Sequence, residues 1–144
     1  MSMPSGVSIP EECLLASTAL YTERGPKKPR FLIFAISDDE RTVALEESST
    51  DPDYEKFRER LAKTSAPRFA TYDVEYDLGE DGKRSRIVFI SWVPENTPVK
   101  LRMLYASTKE QFRNALNVKL SVHADIPDEI EWRNILSVAS RGRL

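Results

Sequence analysis

The sequence has little of the chemistry on which most enzymes and metal proteins depend. Among its 144 residues there is one cysteine, Cys13, and one histidine, His123. A single thiol and a single imidazole cannot supply an internal disulfide or a four-ligand zinc site, and they leave little for nucleophilic triads or histidine pairs. We therefore expect a protein of a reducing compartment, with Cys13 as a small buried side chain and His123 as a hydrogen-bonded residue of an edge strand.

Glycine is also scarce, and long apolar runs are absent. The five glycines are scattered and form no phosphate-binding loop, and the 23 acidic residues make chance carboxylate pairs common, so no such pair indicates catalysis. No stretch approaches the roughly 18 to 20 apolar residues of a membrane span, and the first residues lack the features of a signal peptide. We expect neither an enzyme nor a metal or cofactor site, and we expect a cytoplasmic location.

What is present is typical of one folded domain: 40% hydrophobic and 31% charged residues, with a formal charge of −2. We predict a flexible tail over residues 1–8 and an α/β (α+β) domain over 9–144, with a mixed sheet of five to six strands covered by helices on both faces. Helices are predicted over 9–21, 98–117 and 127–140, with a short one after Asp51-Pro52, and strands over 31–36, 42–47, 69–78, 87–92 and 118–124.

The residue pattern of two of these strands also predicts which of their faces are buried. The strand 31–36 is apolar throughout and should be buried on both faces. The strand 69–78 alternates strictly, which predicts one exposed face that carries Thr71, Asp73, Glu75 and Asp77. It should form a long hairpin with the strand 87–92.

The long predicted helix has two distinct faces. At about 100° per residue, an apolar stripe should pack on the sheet; it comprises Leu101, Leu104, Tyr105, Thr108, Phe112, Ala115 and Leu116. The opposite, outer face is cationic, with an apolar flank; it comprises Arg102, Ala106, Lys109 and Arg113, with Met103 and Glu110 alongside.

Positive charge is concentrated in one segment. Residues 83–113 hold seven basic residues and two acidic ones, although the whole chain is slightly acidic. Such a surface can be an ordinary solvated face, can lie in a groove of another protein, or can rest on anionic lipid. Nucleic acid is a less suitable partner, because no aromatic side chains lie between the basic residues on the exposed face of the helix to stack on bases.

Three motifs resemble those of the ADF/cofilin family of actin-depolymerising proteins. They are SGV at 5–7, GKRSRIVF at 82–89 and, above all, WVPENTPVKLRMLYASTK at 92–109. The resemblance extends over nearly the whole chain. It implies a single ADF-homology domain without enzymatic activity, mostly monomeric, that binds actin monomers and filaments and severs and depolymerises the filaments.

The resemblance also implies two actin-binding surfaces. The surface for monomers and filaments corresponds to Ser5, Gly6, Val7, Lys100, Arg102, Met103, Lys109, Glu110 and Arg113. The filament-specific surface corresponds to Arg84, Arg86 and Arg141. The sequence departs from some relatives at Asn114, Ser137 and Val138, which weakens the expected contacts of the long helix with monomers and of the last helix with filaments.

Regulation is implied by the same resemblance. Ser5 corresponds to the serine whose phosphorylation inactivates family members. Phosphorylation adds a charge of about −1.5 to −2, which repels an acidic partner. The basic surfaces resemble those that bind phosphoinositide headgroups, and Lys27-Lys28-Pro29-Arg30 resembles a nuclear-import cluster. Three alternatives remain: a coactosin-like protein that coats filaments, a phosphoinositide-binding module without depolymerising activity, and a branch-junction remodeller of the glia-maturation-factor type.

Overall fold

A five-stranded sheet organises the fold in the computed structural model, which describes residues 6–144. Ser5, the predicted phosphorylation site, lies outside the described residues. In chain order the helices and strands of the described part are α1 (Glu11–Thr22), β1 (Phe31–Ile36), β2 (Val43–Ser49), α2 (Tyr54–Ala62), β3 (Arg68–Asp77), β4 (Lys83–Trp92), α3 (Val99–Ala115), β5 (Leu120–Ala124) and α4 (Trp132–Ala139). No helix among residues 6–144 is long and apolar enough to cross a membrane.

The sheet is mixed, as predicted, with the strand order β2-β1-β3-β4-β5. Neighbouring strands are antiparallel except β4 and β5, which are parallel and are joined through α3. The predicted β3–β4 hairpin is confirmed, and its turn uses Gly79 and Gly82, both with positive φ. Because β5 pairs with β4 only from Val88 onward, residues 83–87 form a free sheet edge.

Helices cover both faces of the sheet, which divides the core into two clusters. On one face α1 and α3 bury side chains such as Phe69, Phe89 and Phe112. On the other face α2 and α4 pack over a cluster that includes Tyr72 and Ile90. The strand β1 contributes to both clusters, so its predicted burial on both faces is confirmed.

The prediction of an exposed face on β3 is wrong for its first half. Thr71 and Asp73 are 0% and 1% exposed, whereas Glu75 and Asp77 are exposed. The reason is that β3 is the middle strand of the sheet and α1 and α3 cover this face. The buried Asp73 carboxylate accepts hydrogen bonds from the Lys28 ammonium and from the Ser85 hydroxyl, and these bonds compensate for its lost hydration.

The last helix is shorter than predicted. Residues Pro127–Ile130 form a 3-10 turn, and α4 begins only at Trp132 because Glu131 is extended (φ −61°, ψ 147°). The Glu129 carboxylate stabilises the 3-10 turn by accepting hydrogen bonds from the backbone N–H groups of Asp125 and Ile126, at 2.8 and 3.2 Å.

The folded part also starts earlier than the predicted boundary at Ile9. Val7 is 0% exposed and belongs to the α1/α3 cluster. Ser8 forms a parallel bridge with Thr42, and its N–H donates to the Arg41 carbonyl at 2.7 Å. An apolar side chain and a backbone ladder therefore hold residues 7 and 8 against the sheet edge.

Candidate functional site

The helix α3 presents its apolar stripe to the sheet, as predicted. Tyr105, Thr108 and Phe112 are buried, and the Tyr105 hydroxyl accepts a 2.8 Å hydrogen bond from the Ile36 N–H. Burial raises the pKa of Tyr105, so this contact involves the neutral phenol. The packing fixes the rotation of α3 and turns its opposite face to solvent.

The outward face of α3 carries an exposed apolar patch next to positive charge. Met103 is 66% exposed, Ala106 is also exposed, and Lys109 is half-buried beside them. Among residues 6–144, no carboxylate lies within 4.0 Å of the Lys109 ammonium. We call Lys100, Met103, Ala106 and Lys109 the helix surface.

A groove runs beside this surface, between α3 and the β4–β5 edge. Its lining comprises Ser91, Val93, Arg102, Met103, Ala106, Lys109 and His123. His123 lies opposite Ser91 in the parallel register, 3.3 Å from its hydroxyl, and its other ring nitrogen lies 2.8 Å from Asp125. The expectation of a hydrogen-bonded edge-strand histidine is thus confirmed. Spacing along the chain does not predict that Val93, Ser91 or His123 lies beside α3, because their position depends on the β4–β5 pairing.

The two arginines predicted for the outer face are engaged with the protein itself. Arg102 is half-buried and donates to the backbone carbonyls of Thr97 and Glu95 at 3.2 and 2.9 Å. Arg113 is 17% exposed and donates to the Val118 carbonyl at 2.7 Å and to Glu110 at 2.6 Å. The Arg113 guanidinium also lowers the pKa of Glu110. These arginines stabilise the two ends of α3, and the freely displayed positive charge is smaller than the sequence pattern indicates.

The remaining residues of the predicted monomer surface differ in accessibility. Lys100 is 84% exposed at its side chain, with its ammonium 3.3 Å from Glu40. Gly6 is exposed with φ +83°, whereas the Val7 side chain lies in the core. Val7 therefore anchors the first of the described residues, and its side chain is not part of the surface in this conformation.

A second basic surface lies on the other side of the sheet. Arg84 and Arg86 alternate in phase with Val88 and Ile90, which are buried under α2 and α4. Arg141 follows the end of α4 and is exposed. Among residues 6–144, none of these three arginines has an ion pair. We call Arg84, Arg86 and Arg141 the strand surface; the structure places it on the sheet face opposite to α3.

The basic cluster at 27–30 is partly used within the fold. Lys28 pairs with Asp73, and the Arg30 guanidinium lies 3.0 Å from Glu75. Lys27 is exposed.

A sequence model of the cofilin/tropomyosin-type actin-binding proteins matches residues 6–140 of the chain. The chain belongs to the ADF/cofilin family. This is a non-enzymatic family of actin-binding proteins, and the match includes α3, β4 and α4. Both surfaces therefore lie within the matched residues, except for Arg141, which directly follows them.

Curated cofilins resemble this family member over almost their full length. The cofilin of Saccharomyces cerevisiae is 39% identical over 140 residues, which cover 96% of this chain and 95% of that protein. The cofilin of Schizosaccharomyces pombe is 34% identical over 138 residues, covering 95% of this chain and 97% of that protein.

Solved structures share the ADF/cofilin fold. A cofilin of Streptomyces griseoflavus superimposes with a TM-score of 0.83 at 31% identity, covering 95% of this chain and 99% of that one. A coactosin of Entamoeba histolytica superimposes with a TM-score of 0.80, covering 96% of this chain and 97% of that one. The coactosin is only 22% identical, so that likeness shows the fold alone.

Proposed function

We propose that this protein binds both monomeric and filamentous actin, and that it severs and depolymerises filaments. The observation that carries the proposal is the exposed Met103 beside Lys109 on the outward face of α3. An apolar side chain of this size, 66% exposed and bordered by a groove and by positive charge, suits a protein cleft with apolar walls and an acidic rim. Family membership identifies actin as the partner.

Two surfaces on opposite faces of the sheet can contact two partner molecules at once. In the proposal the helix surface binds a monomer or a filament subunit, and the strand surface binds the neighbouring subunit, which only a filament supplies. A protein that binds one filament twist more tightly shifts the filament toward that twist. The altered twist weakens the contacts between subunits, which leads to severing and faster loss of subunits from ends.

Phosphorylation at Ser5 is proposed as the off switch. Ser5 is two residues before Val7 in the sequence, and the Val7 side chain lies in the core. A charge of about −1.5 to −2 there opposes docking on an acidic partner. Phosphoinositide headgroups are proposed to compete with actin for the basic surfaces, and we propose a cytoplasmic, cytoskeleton-associated location.

Co-sedimentation with actin filaments tests the proposal, with unpelleted actin and filament length measured in the same samples. Wild-type protein should pellet with filaments, shorten them and raise the unpelleted actin. Met103→Ala with Lys109→Glu should lose these effects, whereas Lys63→Glu, an exposed charge change at the end of α2, should keep them. Binding without release of monomers would indicate a coating protein.

A vesicle arm addresses the lipid alternative. Flotation with phosphoinositide vesicles that survives about 0.5 M salt, together with no binding to actin, would contradict the proposal, because purely electrostatic attachment is screened at that ionic strength.

A further inference from the structure

A cationic pocket lies at the free edge of β4, where the end of α1 meets the segment between α3 and β5. Four basic side chains line it: Arg24, Lys28, Arg86 and Lys119. Its other lining residues are Leu20, Tyr21, Asp73, Ser85, Ile87, Asn117 and Leu120. We call this depression the cationic pocket. Apart from Arg86, none of its cations belongs to the helix surface or the strand surface.

The walls of the pocket are fixed by contacts between distant segments. The Tyr21 hydroxyl donates a 2.6 Å hydrogen bond to the Asn117 carbonyl and so ties the end of α1 to the segment after α3. Asn117 has a left-handed backbone (φ 60°), which turns the chain at the end of α3 toward Lys119 and β5.

The one acidic side chain of the pocket is already satisfied. Asp73 accepts hydrogen bonds from Lys28 and from the Ser85 hydroxyl, and it is 1% exposed. Arg24, Arg86 and Lys119 are exposed, and none of them has an ion pair among residues 6–144. Three positive charges thus remain available to a partner.

The pocket adjoins the strand surface. Ser85 lines the cationic pocket and also a second depression that includes Lys83 and Arg84. Because β5 does not pair with residues 83–87, this edge of β4 has no neighbouring strand, and residues 83–86 are exposed. A partner that contacts Arg84 and Arg86 can therefore continue around the edge to Arg24 and Lys119.

We propose that the cationic pocket receives an acidic segment of the second actin subunit and so extends the filament-specific surface to Arg24 and Lys119. The inference rests on the proposed function. Carboxylates of the segment pair with Arg24, Arg86 and Lys119, and an apolar side chain contacts Ile87 and Leu120 at the floor. This mixture of cationic and apolar lining suits a peptide segment better than a bare phosphate.

Charge reversal in the pocket tests the inference. Arg24→Glu with Lys119→Glu should weaken filament binding about tenfold at 50 mM salt, with a smaller difference at 150 mM, because the contacts are exposed charge pairs. Monomer affinity should stay within about twofold of wild type. The control, Lys27→Glu with Lys63→Glu, makes the same charge change outside the pocket and should leave filament binding unchanged. Arg24→Ala with Lys119→Ala, which adds no negative charge, should show a weaker effect of the same kind.

Three results would overturn the inference: a pocket variant that binds filaments like its control, one that loses monomer binding equally, or one that loses only binding to phosphoinositide vesicles. Arg84→Glu with Arg141→Glu, which changes the strand surface but no lining residue of the cationic pocket, is measured in parallel as a reference. If that reference variant loses filament binding while the pocket variant keeps it, the inference fails and the proposed function stands. If the reference variant binds filaments normally, the proposed strand surface fails, and the pocket variant still decides whether the pocket contacts filaments.

Discussion

The guanidinium of Arg102 donates a 2.9 Å hydrogen bond to the backbone carbonyl of Glu95, in the loop that leads into α3. It also donates to the Thr97 carbonyl at 3.2 Å. Arg102 thus fixes the start of the helix that carries Met103. A charge reversal at this residue disturbs the helix as well as the surface, so it cannot by itself measure an actin contact.

Arg102→Ala should lower the free energy of unfolding by about 1–3 kcal/mol, because backbone carbonyls in the loop lose a charged donor. Urea denaturation measures the change. The matched control is Arg133→Ala at an exposed position of α4 that is 87% solvent-accessible, which should change stability by less than about 0.5 kcal/mol. Equal stabilities of the two variants would show that the Arg102 contacts do not hold the loop.

Val7→Ala should also destabilise the protein, by about 2 kcal/mol, because it removes two buried methyl groups from the α1/α3 cluster. Leu15→Ala removes a larger side chain that is 62% exposed on α1 and serves as the control. In thermal or urea unfolding, Val7→Ala should be clearly less stable than both wild type and the control. If both variants unfold alike, residue 7 is not an anchor.

Cys13 should make stability fall at alkaline pH. Burial raises the pKa of its thiol from 9.0 to about 11, so the folded state keeps the proton longer than the unfolded state does. The contribution of the neutral thiol to the free energy of unfolding is complete below about pH 9 and is lost as the pH rises toward 11. Over this range the free energy of unfolding falls by no more than about 1.4 kcal/mol per pH unit on account of the thiol.

Comparison with Cys13→Ala isolates this contribution, because buried tyrosines with raised pKa values act in the same direction in both proteins. Between pH 9 and 11 the unfolding free energy of wild type should fall more steeply than that of the variant. Parallel curves would mean that the thiol titrates alike in the folded and unfolded chain.

The features that the sequence predicts best are those with local causes. Spacing along one segment is enough to predict three features: the burial of the apolar strand β1, the exposure of Glu75 and Asp77, and the packing of the apolar stripe of α3 on the sheet. The burial of Asp73 does not, because its partner Lys28 is 45 residues away. The late start of the last helix has a different cause. The extended Glu131 follows a 3-10 turn that the Glu129 carboxylate stabilises by hydrogen bonds to backbone N–H groups, and helical periodicity does not reveal such contacts.

The candidate surfaces likewise have some features that local spacing predicts and others that depend on distant segments. Helical periodicity places Met103 and Lys109 on an outward face, and strand alternation places Arg84 and Arg86 on one side of β4. Periodicity cannot tell that Arg102 and Arg113 donate to backbone carbonyls, because those carbonyls belong to the loops at either end of α3. The groove beside His123 and the cationic pocket beside Arg24 depend on contacts between segments far apart in the chain.

In the proposed function, the helix surface serves both forms of actin and the strand surface serves filaments alone. The most direct test is to measure monomer and filament dissociation constants for Arg84→Glu with Arg86→Glu beside Lys109→Glu, after confirming that each unfolds like wild type. The strand variant should keep its monomer affinity within about twofold and lose most of its filament affinity, whereas Lys109→Glu should weaken both. Equal losses for monomers and filaments in the strand variant, or undiminished filament binding, would contradict the account.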